Sequence, residues 1–177
     1  MAETLQDRLA ADLKTALREG NEVRKVTLRG LLAAIKKQAD TKRRDTLLAE
    51  ARRRGVDLNK ELVTVDEGAV ALTEQDILAV IQREVKQRRE SIAEFTKGGR
   101  ADLVRSEEAE LAILETYLPQ QMSREEITAL VRGVIQEVGA TGPAQTGQVM
   151  KAVMARVQGR AEGRLVSEVV RDLLSGK

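Results

Sequence analysis

The chain contains no cysteine, no histidine and no tryptophan, and Phe95 and Tyr117 are its sole aromatic residues. Without Cys and His there are no soft metal ligands, no thiol nucleophile and no imidazole to move protons near neutral pH. Also missing are a calcium-type aspartate loop, a Walker-type Gly-x-x-x-x-Gly-Lys loop, a Ser-Lys amidase arrangement and a paired-carboxylate cleft. Acid pairs such as Glu107-Glu108 sit in a helical pattern with no oxyanion donors beside them. Such a chain is expected to have no catalytic residue, no metal and no cofactor of its own. No apolar run is long enough to cross a membrane, and the first seven residues have neither the basic start nor the apolar stretch of a secretory leader. With the absence of Cys, which suits a reducing environment, the expectation is a cytoplasmic protein with no membrane partner.

With so few aromatics the core must be built from Leu, Ile, Val, Ala and Met, which favours helices over β-sandwiches. Hydrophobic residues make up 42% of the chain and charged residues 33%, enough for a packed core under a heavily charged surface. The spacing predicts an all-α protein. Thr4 caps a first helix carrying Leu5, Leu9, Leu13, Ala16 and Leu17 up to Gly20. Asn21 opens a second with Leu28, Leu31, Leu32, Ile35 and Ala39 on one stripe, running on to Arg54. Residues 55–72 read either as a short β-hairpin arm, with apolar runs at Leu62 to Val65 and Ala69 to Leu72, or as an irregular loop. Thr73 and Asp76 resemble a capping box for a third helix whose buried face is Ile77, Ile81, Val85, Ile92 and Phe95. Gly98-Gly99 ends it, and a fourth helix carries Val104, Leu111, Leu114 and Leu118 until Pro119 prevents continuation. Beyond Pro119, Ser123 with Glu126 opens a short helix that stops at Gly139. Two more follow, one with Val149, Met150, Val153, Met154 and Val157 and one with Leu165, Val166, Val169, Val170 and Leu173. Pro119 thus divides an N-terminal helical domain, residues 1–118 with an insertion at about 40–72, from a small tail domain, residues 119–177.

Charge is unevenly distributed. Residues 21–60 hold twelve Lys or Arg against five Asp or Glu, a net of +7, whereas residues 61–118 sum to −6. On the second helix Lys36, Lys37, Arg43 and Arg44 lie away from the apolar stripe, at a density that would attract a polyanion, although a solvated face accounts for them equally well. In the tail, Gly159 and Gly163 bracket Arg160 just before Arg164 at a helix start. There the backbone N–H groups and the side chains of Lys151, Arg156, Arg160 and Arg164 are candidates for phosphate contacts, while an αα-turn explains both glycines without a ligand. In the antiparallel pairing set by Gly98-Gly99, residues whose numbers sum to roughly 197 face each other, so Arg88 meets Glu107 and Glu110. A structural ion pair is the expected role.

The runs Lys86-Gln87-Arg88-Arg89-Glu90-Ser91-Ile92-Ala93-Glu94-Phe95, Gly98-Gly99-Arg100-Ala101-Asp102-Leu103 and Tyr117-Leu118-Pro119 with Met122-Ser123 resemble the signature of the GatB/YqeY family. Gly147-Gln148-Val149-Met150 and Gly159-Arg160-Ala161-Glu162-Gly163-Arg164-Leu165-Val166 resemble its tail, so the likeness spans nearly the whole chain. It implies a stand-alone YqeY-like protein, similar to the C-terminal helical and tail portions of the B subunit of tRNA-dependent amidotransferases, where the tail helps hold tRNA. Residues 40–72 depart from the family pattern, which has a shorter link between helices two and three. Three readings follow: a non-catalytic tRNA-binding accessory, a component of a carbon-nitrogen ligase with glutamine as amido-N-donor that is active only with amidotransferase subunits or other translation partners, and a protein-interaction adaptor using the 55–72 segment or Met150 and Met154.

Overall fold

The computed structural model describes residues 4–57 and 62–175, and among these every regular element is helical. Two compact units make up the chain, Met1–Tyr117 and Leu118–Lys177. In the first, α1 (Leu5–Glu19) and α2 (Glu22–Arg54) form a hairpin through Gly20, whose φ of 66° is a left-handed value that glycine adopts without strain. The Thr4 hydroxyl accepts from the Asp7 N–H at 3.1 Å, and Asn21 Oδ1 accepts from the Arg24 N–H at 3.0 Å, so both helices start on capped donors. At 33 residues α2 is about 50 Å long. Its first half buries Thr27, Leu28, Leu31 and Ile35, whereas in its second half only Ala51 is fully covered.

Of the two readings of residues 55–72, the loop holds and the β-hairpin does not. Residues 62–66 form no regular element and pair with no strand among the described residues, and Glu67–Val70 form a single helical turn, α3. Val63 is buried but its neighbour Leu62 is 91% exposed, so the run offers one anchor rather than an apolar strand face. An isolated two-stranded arm would be marginal in water. Asp66 is also a better helix cap than a hairpin turn residue, and its carboxylate accepts from the Ala69 N–H at 3.1 Å. Residues 58–61 of the segment lie outside the described residues.

Helix α4 (Glu74–Lys97) opens on a complete capping box. Asp76 accepts from the Thr73 N–H at 2.9 Å, and Thr73 accepts from the Asp76 N–H at 3.1 Å. Lys42 of α2 reaches this start, donating to the Ala71 carbonyl at 2.7 Å and to Asp76 at 3.0 Å. The Thr73 N–H and then Lys42 hold the Asp76 carboxyl below the usual carboxylate range. After the Gly98-Gly99 turn, α5 (Ala101–Glu115) returns antiparallel to α4. It ends three residues before Leu118, because Tyr117 leaves the helix and turns into the core, where 4% of it is exposed. Ile77, Val80, Ile81 and Val85 of α4, Leu114 of α5, Leu9 and Ala16 of α1 and Leu28, Leu31 and Ile35 of α2 are buried apolar residues of these helices.

The Tyr117 hydroxyl donates to Asp12 of α1 at 2.6 Å, and Arg24 of α2 meets the other oxygen of Asp12 at 3.0 Å. Arg8 lies over the phenol ring, 5.0 Å from its centre, and donates to the Thr116 carbonyl at 3.3 Å. Burial, and then the bond to Asp12, pushes the Tyr117 phenol up to about 12.

The second unit contains α6 (Arg124–Val138), a 3-10 turn at Pro143–Gln145, α7 (Thr146–Val157) and α8 (Gly163–Leu174). Ile127, Val131 and Val134 meet Val149, Val153 and Val157, and both rows meet Val166, Val169, Val170 and Leu174. The valine-rich stripes at i, i+3/i+4 spacing build most of this core, and Ala161 of the loop before α8 and Met122 before α6 add to it. Residues 121 and 122 are strapped to the loop before α8. The Met122 N–H donates to the Arg160 carbonyl at 2.7 Å, and the Gln121 amide donates to the Gly159 carbonyl at 3.3 Å.

An unfolded tyrosine ionises near pH 10, whereas the folded Tyr117 keeps its proton to about pH 12. Its contribution is therefore complete below pH 10 and disappears as pH rises from about 10 to 12. Tyr117→Phe is expected to lower the unfolding free energy at neutral pH by about 1 kcal/mol, in urea titrations, and to flatten the loss of stability between pH 10 and 12. Parent and variant curves that run parallel through that window would show that the phenol proton is not coupled to folding.

Candidate nucleic-acid interface

Helix α2 carries eleven Lys or Arg against four Asp or Glu. Six of the cations have an acidic partner. Arg24 pairs with Asp12, Lys25 with Glu22, Lys42 with Asp76, and Arg53 and Arg54 both with Glu50; Arg44 lies 3.8 Å from Asp45 in an exposed, weak pair. Glu50 accepts from Arg53 at 2.7 and 2.8 Å and from Arg54 at 2.5 Å, which holds its carboxyl down to about 2. The groove beside it, between α2 and residues 64–69, therefore offers no free cation. The other five, Arg29, Lys36, Lys37, Arg43 and Arg52, are exposed and have no acidic partner among the described residues.

Their placement is regular. Arg29, Lys36 and Arg43 are seven residues apart and fall on one line along the outer face, with about 10 Å between successive positions. Lys37 and Arg44 form a second line about 100° further round the helix. Asp40 sits among Lys36, Lys37, Arg43 and Arg44 at positions ±3 and ±4, the spacing at which helical side chains are neighbours. Sequence reasoning found Lys36, Lys37, Arg43 and Arg44 as candidates but not the roles of Arg29 and Asp40. The signal was available in the seven-residue interval.

The tail cations are dispersed. Arg156 forms a two-pronged ion pair with Glu137, with one arm at 3.0 Å, and this joins α7 to α6. The Glu137 carboxyl is lowered by it. Lys151 lies on the face of α7 opposite Val149, Val153 and Val157, roughly 140° around the helix from Arg156. The two cannot grip one phosphate. Arg160 lies in the loop, where its Nε is 3.4 Å from the Val157 carbonyl and its charge lowers the Glu126 carboxyl as a secondary influence after the Ser123 donors. Arg164 is exposed in the first turn of α8, on the side away from Val166 and Val170. Gly159 has φ 82° and follows Gln158 at φ 47°, so the chain reversal itself requires that glycine. Gly163 begins α8 at an ordinary helical position with open space around its Cα. Met150 packs against the tail core, and Met154 is 42% exposed.

The family model for Yqey-like proteins matches residues 54–174. The chain belongs to that family. Among curated relatives of this Yqey-like protein is "Altered inheritance of mitochondria protein 41, mitochondrial" of Pyrenophora tritici-repentis, 28% identical over 173 residues that cover 96% of this chain and 81% of the relative. The proteins of the same name from Lachancea thermotolerans and Kluyveromyces lactis are 33% and 34% identical, each over 76% of this chain and 60% of the relative. The chain thus spans less than two thirds of the length of those two. The names of all three relatives overturn the cytoplasmic expectation. That expectation rested on absent cysteine and the character of the first residues, and neither specifies a compartment. The matched stretch takes in residues 55–72, which the resemblance set apart from the family pattern, and begins at the last residue of α2.

In this Yqey-like protein Arg88 lies where the helical core gives way to the α4–α5 hairpin alone. Its guanidinium meets Glu110 at 3.0 and 3.1 Å, Glu107 at 3.4 Å and Glu84 at 3.8 Å. Each of these side chains keeps about a fifth of its surface exposed. Three carboxylates around one guanidinium leave an excess of negative charge, and Glu107 Oε2 is buried without a hydrogen-bond donor. The cluster ties α4 to α5, and no group of acids among the described residues is arranged to hold a metal. Arg88→Met should therefore destabilise the first unit by about 2 kcal/mol, since it strands the carboxylates, and Glu107→Gln in that background should recover part of the loss in urea titrations. A neutral Arg88→Met would mean that the cluster does not hold the hairpin.

Proposed function

We propose that this Yqey-like protein is a non-catalytic accessory that holds RNA, with tRNA the expected form, by the phosphates. The outer face of α2 is the principal contact, and Lys151, Arg160 and Arg164 make a second on the tail unit. The observation that carries the reading is the division of charge on α2. Arg24 and Lys42, which reach the rest of the unit, are neutralised by Asp12 and Asp76, while Arg29, Lys36, Lys37 and Arg43 are exposed with no ion pair among the described residues. Cations whose only role is solubility are normally interspersed with acids. A row of cations about 21 Å long, with Asp40 the one acid among them, instead supplies the counterion release that drives association with a polyanion. Arg156 is left out of the contact set because Glu137 already holds both arms of its guanidinium.

Mobility shifts of tRNA across a salt series test this directly. Replacing Arg29, Lys36, Lys37 and Arg43 together by Ala should flatten the slope of log K against log salt by about three, at 0.7 to 0.9 per phosphate contact. Arg160→Ala with Arg164→Ala should flatten it by about one to two. Asp40→Asn should do the reverse and tighten binding, because it removes the one anion inside the cation cluster. All of these positions are exposed, and Ala is the best helix former, so the folded protein is retained. Absence of tRNA binding at low salt, or an unchanged slope in the fourfold variant, sinks the proposal.

A further inference from the structure

The two lines of cations on α2 constrain what kind of RNA can lie there. Arg29, Lys36 and Arg43 run along one flank of the outer face, and Lys37 and Arg44 along the other. Between them the crest of the helix carries Val26, Ala33 and Asp40, with Gly30 beside Ala33, and all of these positions are exposed. The crest is thus low and the flanks are long and basic. A single strand offers one row of phosphates, whereas a duplex offers two rows at fixed separation on either side of a groove. In A-form RNA the minor groove is wide and shallow, so a narrow helix ridge can settle in it while side chains on both flanks reach phosphates.

A second, independent observation points the same way. Proteins that hold single-stranded RNA stack its bases on aromatic side chains, each worth about 1–3 kcal/mol. This chain has only Phe95, half-buried on α4, and Tyr117, which is 4% exposed and engaged with Asp12. No stacking platform accompanies the cations of α2. The helix is also a continuous element of 33 residues, so its flanks present a preformed spacing that a flexible strand would have to adopt at an entropic cost.

We infer that α2 is a ridge that docks in the shallow groove of double-stranded RNA, with Lys36 and Arg43 on one phosphate row and Lys37 and Arg44 on the other. This deepens the RNA reading above and rests on it.

Affinities of the full chain for a paired RNA of about 16 base pairs, and for one strand of that RNA with a sequence that cannot self-pair, decide the matter at equal salt. The duplex is expected to bind about tenfold more tightly or better. Lys36→Ala with Arg43→Ala, and separately Lys37→Ala with Arg44→Ala, should each weaken duplex binding several-fold, since both rows are needed. Ala33→Phe places a bulky ring on the crest. It should weaken duplex binding while leaving or improving strand binding, to which it adds a stacking surface. A strand that binds as tightly as the duplex overturns the ridge-in-groove inference and leaves the RNA reading standing. So does an Ala33→Phe variant with unchanged duplex affinity. Failure to bind either RNA at low salt overturns both.

Discussion

The bond from the buried Tyr117 phenol to Asp12 fixes the arrangement on which the first unit depends. This chain has no disulfide to tie its helices together and almost no aromatic volume with which to key them into a single packing. Leu, Ile and Val side chains of similar size can interdigitate in more than one register, and uniform aliphatic cores specify poorly. A polar contact in a dry place discriminates better, because a misplaced partner leaves a buried group unsatisfied. Asp12 accepts from Tyr117 with one oxygen and meets Arg24 with the other, while Arg8 covers the ring from outside. One carboxylate therefore sets α1, α2 and the end of α5 with respect to one another, and it does so at the turn where α5 stops short of Pro119.

Fixing the first half of α2 in this way has a consequence for the second half. The buried residues of α2 are concentrated at Thr27 to Ile35, and beyond them the helix is held to α4 by hydrogen bonds between Gln38 and Arg83 and between Lys42 and Asp76. A helix anchored at one end and guided by two polar contacts further on can run about 50 Å with one side open. Its outer face is free of packing duties, so its sequence is set by something other than the core.

Most of the helical skeleton was legible because its punctuation is local. Thr4, Asn21, Thr73 and Ser123 all cap the helices they precede, and Gly20, Gly55 and Gly139 end theirs in left-handed conformations. The segment at 55–72 was harder to read, since β-branched residues at 63–65 invite a strand, whereas the outcome turned on whether another strand existed to pair with them. The tail cations meet a related limit. Arg156, Arg160 and Arg164 stand four residues apart, but the helix ends at Val157 and the chain reverses through Gln158 and Gly159, so the interval does not carry them along one helix face. Sequence proximity said nothing of Glu137, nineteen residues earlier, which takes the guanidinium of Arg156. On α2, where the helix is unbroken, the interval of seven survives into space, and the cations that share it do line up.

The electrostatics of α2 give the final step. Helix α2 carries a net charge of +7 over 33 residues, yet Lys25 and Arg29 are its one like-charge pair at ±3 or ±4, the spacing at which such pairs destabilise by a few tenths of a kcal/mol. The helix meets this differently along its length. At its C-terminal end Arg52, Arg53 and Arg54 lie beside the negative pole of the macrodipole, and Glu50 neutralises two of them, so the charge there stabilises the helix. At its middle the compensation comes from Asp40, the ±3 or ±4 neighbour of Lys36, Lys37, Arg43 and Arg44. If helix stability were the only constraint, acids would be expected at the exposed positions around Arg29, Ala33 and Lys37, where they would cost nothing in packing. The cations in the middle of α2 stand away from the pole that would favour them, but none of Lys36, Lys37, Arg43 and Arg44 is the ±3 or ±4 neighbour of another, so they give that face a net positive charge at little cost to the helix.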